Sequence, residues 1–167
     1  MAANTFTFNR THSATFMADN IRNQLRQLVL AAGLDPTALA DDWSVVGGAA
    51  KRWMESGHLS GVTIEFFYPG GSAAQHRWDF DISYQGSGVD DDMWVDRDHL
   101  KRTIDKAGRP PAGCIYRVVL SCRPGYTEYP GMGSTDFKST DGLVSRSTGT
   151  AIATQDLMAG LRYWRAA

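Results

Sequence analysis

RPGYTEYPGMGSTDFKSTDGLVSRSTGT, residues 123–150, shows no hydrophobic periodicity, and 16 of its 28 residues are Gly, Ser, Thr or Pro. Irregular stretches beyond about 12–15 residues are uncommon in compact domains and are usually functional or disordered. This one is not a trailing end. Strand-like sequence resumes at 151–154 and again at LRYWR, 161–165. A long pliable element is therefore pinned on both sides, and the residues before it must form the body that holds it.

That body reads as α+β. CIYRVVLSC, residues 114–122, is apolar on nearly both faces, as expected of a central strand. Upstream, Val62, Ile64, Phe66 and Tyr68 alternate with Thr63 and Glu65. Trp78, Phe80, Ile82 and Tyr84 alternate in the same way with Arg77, Asp79, Asp81 and Ser83. PGGS at 69–72 separates the two runs, which predicts an antiparallel hairpin with one solvated face. Residues 85–89 read as a loop. A helix capped by Thr11 or Ser13 is expected to reach Ala32 and stop at Gly33, burying Met17, Ile21, Leu25, Leu28 and Ala32. A second helix runs from Pro36 to about Glu55, with Leu39, Trp43, Val46, Ala50, Trp53 and Met54 inward and Gly57 as its stop. Gly47-Gly48 within it implies a kink or close contact with another element. The third extends from near Asp96 to Lys106, ends at Gly108 and turns Leu100 and Ile104 inward. Residues 5–9, with Phe6 and Phe8 alternating, read as a short strand or a loosely held arm.

Composition narrows the function. The 167 residues suit one domain. The net charge of -1, from 17 Lys+Arg against 18 Asp+Glu, argues against a protein whose affinity rests on neutralising phosphates. No apolar run approaches the length of a membrane span. The polar N-terminus lacks the apolar centre of a signal peptide, so the cytoplasm is the expected location. Cys114 and Cys122 lie eight positions apart in one strand, about 26 Å if it is straight. That is far beyond the roughly 7 Å limit of a disulfide, and two buried reduced thiols are expected.

Catalytic patterns are thin. Asp79 and Asp81 share a strand face, follow a Gly71-Ser72 turn and have Glu65 on a neighbouring strand, which allows a metal-dependent nucleotidyltransferase reading. The Gly-Ser pair lies in a hairpin turn rather than opening a helix, and acids on a solvated hairpin face are the simpler account. His12, His58, His76 and His99 sit in separate segments without metal-ligand spacing, and no cofactor is implied. Gly131-Met132-Gly133 is a GxG without a phosphate-loop pattern after it. RYWR at 162–165 pairs cations with aromatics as nucleic-acid binders do. It reads more simply as an amphipathic strand with Arg162 and Arg165 solvated and Trp164 inward.

Several strings together resemble one family along nearly the whole chain. They are RTHS (10–13), GLDP (33–36), DW (42–43), RWDFDI (77–82), GTAI (149–152) and YWR (163–165). The chain resembles a bacterial HORMA domain of the kind encoded beside cyclic-oligonucleotide synthases in anti-phage (CBASS-type) operons. The resemblance implies three helices packed on a mainly antiparallel sheet, with a C-terminal safety belt that repositions and closes over a short closure-motif peptide. It divides the single domain into an arm at 1–11, a core at 12–122 and a belt with C-terminal strands at 123–167. It further implies a non-catalytic signalling adaptor that activates a cGAS/DncV-like nucleotidyltransferase and is reset by a Pch2-type AAA+ ATPase. No direct nucleic-acid or membrane partner is implied. Tyr126, Tyr129, Met132, Phe137, Leu143 and Val144 are then the candidates for lining the peptide. Asn4, Phe6, Phe8 and Arg10 are candidates for the handle gripped by the ATPase. A nucleotidyltransferase using Asp79 and Asp81, and a static interaction domain of the same fold, remain alternatives.

Overall fold

In the computed structural model, which describes residues 2–84, 94–154 and 156–167 (side chains from residue 11 onward), helix α1 (Ala2–Ala31) packs against helix α2 (Thr37–Glu55). Both stop at glycines in the left-handed region, Gly33 and Gly57. At each end the amide after the glycine reaches back five residues, from Leu34 to Val29 and from His58 to Trp53. This closure satisfies carbonyls left over by the last turn, and glycine adopts its backbone geometry without a Cβ penalty. The inward stripes hold: Met17, Ile21, Leu25 and Leu28 of α1 and Leu39, Trp43, Ala50, Trp53 and Met54 of α2 are buried. Ala32 and Val46 are partly buried against the same core.

Two sequence expectations fail at the N-terminus. Residues 5–9 do not form a strand, and the helix does not start at Thr11 or Ser13; it runs unbroken from Ala2. Prolonging an existing helix gains a hydrogen bond for each residue fixed, whereas a lone five-residue alternation has no partner strand among the described residues. The side chains of Asn4, Phe6, Phe8 and Arg10, and the loop expected at 85–89, lie outside the described residues.

Among the described residues the sheet has six antiparallel strands in the order β3-β5-β6-β2-β1-β4. These are β1 (Leu59–Phe67), β2 (Ala74–Ser83), β3 (Trp94–Val95), β4 (Ile115–Cys122), β5 (Leu143–Ala153) and β6 (Met158–Ala166). Helix α3 (Arg97–Ala107) precedes β4; the Asp96 side chain caps its first turn on the His99 amide at 2.9 Å, and Gly108 closes it. The core lies between the helices and one sheet face, where Val62, Ile64, Phe66, Trp78, Phe80 and Leu161 are buried.

The other face is not the solvated one the alternation implied. Thr63, Glu65 and Asp79 are buried there. Both Asp79 oxygens are engaged: Oδ1 accepts from Thr63 at 2.6 Å and Arg77 at 2.9 Å, and Oδ2 accepts from the Trp164 indole at 2.8 Å. Trp164 thus covers this polar face, and it is Tyr163 that packs inward. Further corrections concern the strands around the irregular segment. The 114–122 run forms an edge strand, not a central one, because β6 takes the place beside β2. Strand β5 begins at Leu143, so the irregular stretch ends at residue 142; its Ser145 and Ser147 pair with β6 while facing solvent, and Thr150 pairs half-buried. Cys114 is buried and Cys122 half-buried, both as free thiols, and desolvation pushes Cys122 up to about 11.

His76 is buried on β2, with Nε2 3.4 Å from the Ala107 carbonyl. Burial holds it below its ordinary 6.5, the nearby Arg165 charge adds to that, and the carbonyl opposes it. A lowered folded value means that the unfolded chain binds the proton first. Its stabilising contribution is therefore complete above the ordinary value and is lost as pH falls through the lowered one. Urea midpoints should drop between about pH 7.5 and 5.5 and drop less in His76→Phe; equal slopes would remove His76 as a cause.

Candidate functional site

Among the described residues strand β4 ends the sheet and pairs only with β1. Its outer edge offers main-chain donors and acceptors that no strand meets among the described residues. Its helix-facing side chains, Tyr116, Val118, Leu120 and Cys122, pack partly against the core. An edge of this kind invites a further strand unless it is covered. The segment 123–142 leaves β4 at its end and comes back alongside it, fixed at two places.

The first anchor is built on α2. The Arg123 amide donates to the His58 carbonyl at 2.7 Å, and the Trp53 indole donates to the Thr127 carbonyl at 2.7 Å. Tyr126 and Tyr129 stand edge-on to Trp53, with centroids 5.5 and 6.4 Å away. Tyr129, Pro130, Gly131 and Met132 make a tight turn closed by the Met132 amide on the Tyr129 carbonyl, with Gly131 at φ 88°. Proline second and a left-handed glycine third are what a type II turn demands. The paired glycines of α2 mark close contacts, as expected: a Cβ at Gly48 would overlap the Tyr129 hydroxyl, and one at Gly47 would overlap the Trp43 indole.

The second anchor is a fully buried carboxylate. Glu65 of β1 accepts from Arg117 Nε at 2.7 Å and from the Lys138 amide at 2.7 Å. Arg117 extends the clasp to Thr135 Oγ1 and the Asp136 carbonyl. Lys138 Nζ donates to the Gly71 carbonyl at 2.6 Å, and Ser139 bridges to Ser72 and Ala74. A buried charge is tolerable only when it is paired and its lone pairs are met, and Glu65 satisfies both conditions.

Between the anchors a cavity of about 270 Å³ separates the segment from the strand edge. Trp53, Val118 and Leu120 line it from the body, with Tyr126, Met132 and Gly133 opposite. Val118 also borders a second cavity of about 140 Å³, formed with Leu39, Trp43, Val46 and Tyr116. Tyr116 ties that end together, accepting from the Leu39 amide and donating to the Asp35 carbonyl. The result is a groove of mixed polarity, with Trp53, Val118, Leu120 and Met132 beside Ser134 and Thr135, along a strand edge unpaired among the described residues, an arrangement suited to an extended peptide.

Of the residues singled out in the sequence, Tyr126, Tyr129 and Met132 gather around Trp53. Phe137 lies elsewhere, its ring 4.1 Å from the Arg77 guanidinium on the opposite sheet face. Leu143 and Val144 sit at the start of β5, paired with Ala166 and Arg165. Trp53, Leu39, Trp43, Val118 and Leu120 looked like core positions, and only the Gly-Gly pair hinted that α2 receives another element. The carboxylates of the nucleotidyltransferase reading have other duties. Asp79 and Glu65 are bound as described, and Asp81 pairs with Arg162 at 3.5 Å. Among the described residues no three His, Cys, Asp or Glu side chains are grouped to hold a metal ion, and no helix is long and apolar enough to cross a membrane.

A family model described as bacterial HORMA domain 2 matches residues 2–167. No curated protein shows significant sequence similarity to the chain. Among solved structures, a chain of the mitotic checkpoint complex superposes with a TM-score of 0.72 at 7% identity, covering 92% of this chain and 98% of that one. The E. coli MS115-1 CdnC:HORMA-deltaN complex gives 0.60 at 14% identity, covering 94% and 89%. C. elegans HTP-2 bound to the HIM-3 closure motif gives 0.53 at 16%, covering 79% and 72%. The fold is shared with all three.

Replacing Glu65 by Ala leaves Arg117 and the Lys138 amide without their acceptor. A loss of about 2–3 kcal/mol is expected, below the usual range for a broken buried pair because the Arg117 side chain is 29% exposed. Limited proteolysis should then cut within residues 124–139 faster than in the parent. Unchanged cleavage there would show that Glu65 does not hold the segment.

Proposed function

As the chain belongs to the bacterial HORMA domain 2 family, we propose that it is a signalling adaptor that captures a short closure-motif peptide as an added strand on β4, beneath a belt formed by residues 123–142. The observation that carries this reading is the β4 edge, unpaired among the described residues, faced by a groove with an apolar wall and spanned by a segment fixed at both ends. Strand addition draws affinity from main-chain hydrogen bonds, and pockets for alternate side chains select sequence. The two cavities flanking Val118 favour a peptide with apolar residues at alternate positions. Tyr126, Tyr129 and Met132 supply the belt side, while Phe137, Leu143 and Val144 act as anchorage. Leaving the groove would require one anchor to release, which slows dissociation.

Two solved relatives of the fold support the wider assignment. HTP-2 was captured with a closure motif, and the E. coli HORMA protein with CdnC. By analogy, the peptide-bound form of this chain engages a cGAS/DncV-like nucleotidyltransferase in a cytoplasmic anti-phage signal. A Pch2-type AAA+ ATPase resets it by gripping the N-terminal residues Asn4, Phe6, Phe8 and Arg10. Helix α1 continues through these residues, so a pull there would draw on an element that packs against α2.

Selection from a random peptide library should enrich sequences with alternating apolar residues. Leu120→Arg, on the groove wall, should weaken the selected peptide at least about tenfold while circular dichroism stays native. No enrichment, or equal binding by the variant, would exclude capture at this edge. Deleting residues 2–10 should spare peptide binding and abolish ATP-driven release; continued release would place the handle elsewhere.

A further inference from the structure

A second cleft, of about 470 Å³, opens between α3 and the β5–β6 hairpin, away from the β4 groove. His99, Arg102 and Lys106 share one face of α3 and form one wall, because residues three or four apart lie together on a helix. Arg146 of β5 and Arg165 of β6 face them. No Asp or Glu lines the cleft among the described residues, although the chain as a whole carries a net charge of -1. Arg102 has only a loose contact with Asp96 at 3.6 Å, and Arg165 donates to the Lys106 carbonyl. Neither Lys106 nor Arg146 has an ion-pair partner among the described residues.

An independent feature lies at the floor. Tyr163 is only 4% exposed, its ring packed 5.5 Å from that of Trp78. Tyr163 lines the cleft, and its hydroxyl makes no hydrogen bond among the described residues while remaining within reach of solvent. A hydroxyl held on a packed ring at the edge of the cleft can donate to the oxygen of a ligand there. The hydroxyls of Ser147 and Thr148 border the same space, Thr148 held by His99 Nε2 at 3.0 Å and by its own bond to the Leu161 carbonyl.

We propose that this cleft binds a phosphate-bearing ligand of nucleotide size. Guanidinium forks and hydroxyls converging on one space match the several acceptor oxygens of a phosphate, and the number of cations calls for more than one negative charge. The volume falls within the range of small-molecule sites and exceeds what a single inorganic anion fills. Sequence-wide charge balance concealed this, because the cations are collected from three elements. One wall belongs to α3 and the other to the hairpin, so the ligand favours the arrangement in which β6 lies on β2. The inference does not depend on peptide capture.

Titration calorimetry at low salt with pyrophosphate, ATP, a short DNA duplex and polyglutamate tests it. Saturable one-to-one binding of pyrophosphate and tighter binding of ATP are expected. Arg146→Glu, an exposed change, should weaken ATP at least about tenfold, and Tyr163→Phe, which keeps the ring, about three- to tenfold. ATP should also slow hydrogen exchange in β6. Failure of both small probes would overturn the proposal, as would binding of duplex or polyglutamate alone, or indifference to Arg146→Glu. Equal affinity for pyrophosphate and ATP would overturn the nucleotide-sized reading. Peptide capture by Arg146→Glu should match the parent, which separates this site from the β4 groove.

Discussion

Every second main-chain N–H and C=O of β4 points away from β1, and among the described residues no other strand meets them. The arrangement of the molecule follows from that edge. The position beside β2, which would otherwise be the opposite edge of the β1–β2–β4 unit, is filled by β6, with β5 and β3 continuing the sheet. The chain can therefore spend residues 123–142 on crossing to that far side, and its path runs over the edge it leaves open. Polar side chains that would suit a solvated hairpin face instead serve this crossing and the docking of β6: Glu65 receives the segment, and Asp79 receives Trp164.

The two anchors differ in chemistry, and the difference matters for movement. Around Trp53 the contacts are aromatic edges, one indole hydrogen bond and a turn whose geometry comes from Pro130 and Gly131. At Glu65 a buried carboxylate is met by a guanidinium and a main-chain amide, so release there strands a charge away from water. The first anchor can loosen by degrees. The second resists partial release, so in the proposed peptide capture it is the step at which the segment would open.

Much of this was legible in the sequence where a single periodicity governed burial. The three helices, their glycine stops and the β1–β2 hairpin follow from apolar spacing and turn chemistry. The irregular segment was visible as a run without periodicity between ordered flanks. What remained hidden depends on elements meeting across long separations. Glu65 and Asp79 look solvated by alternation, because their partners lie 52 and 85 residues away in Arg117 and Trp164. The 114–122 run looks central because it is apolar on nearly both faces, yet in the fold only Val119 is buried on the face away from the helices and Ile115 is exposed. Trp53 reads as core by helical spacing, and nothing local shows that its indole holds the Thr127 carbonyl. The resemblance to HORMA domains rested on strings spread along the chain, and it gave the fold correctly where periodicity placed β4 wrongly.

The central claim is that a peptide becomes the neighbour of β4. Hydrogen–deuterium exchange read at single residues of β4, with and without a library-selected peptide, tests it most directly. The account predicts strong protection on binding at every second amide between residues 115 and 122, those pointing away from β1, with the intervening amides already protected in the free protein. Protection confined to other surfaces, with β4 exchanging as before, would contradict it.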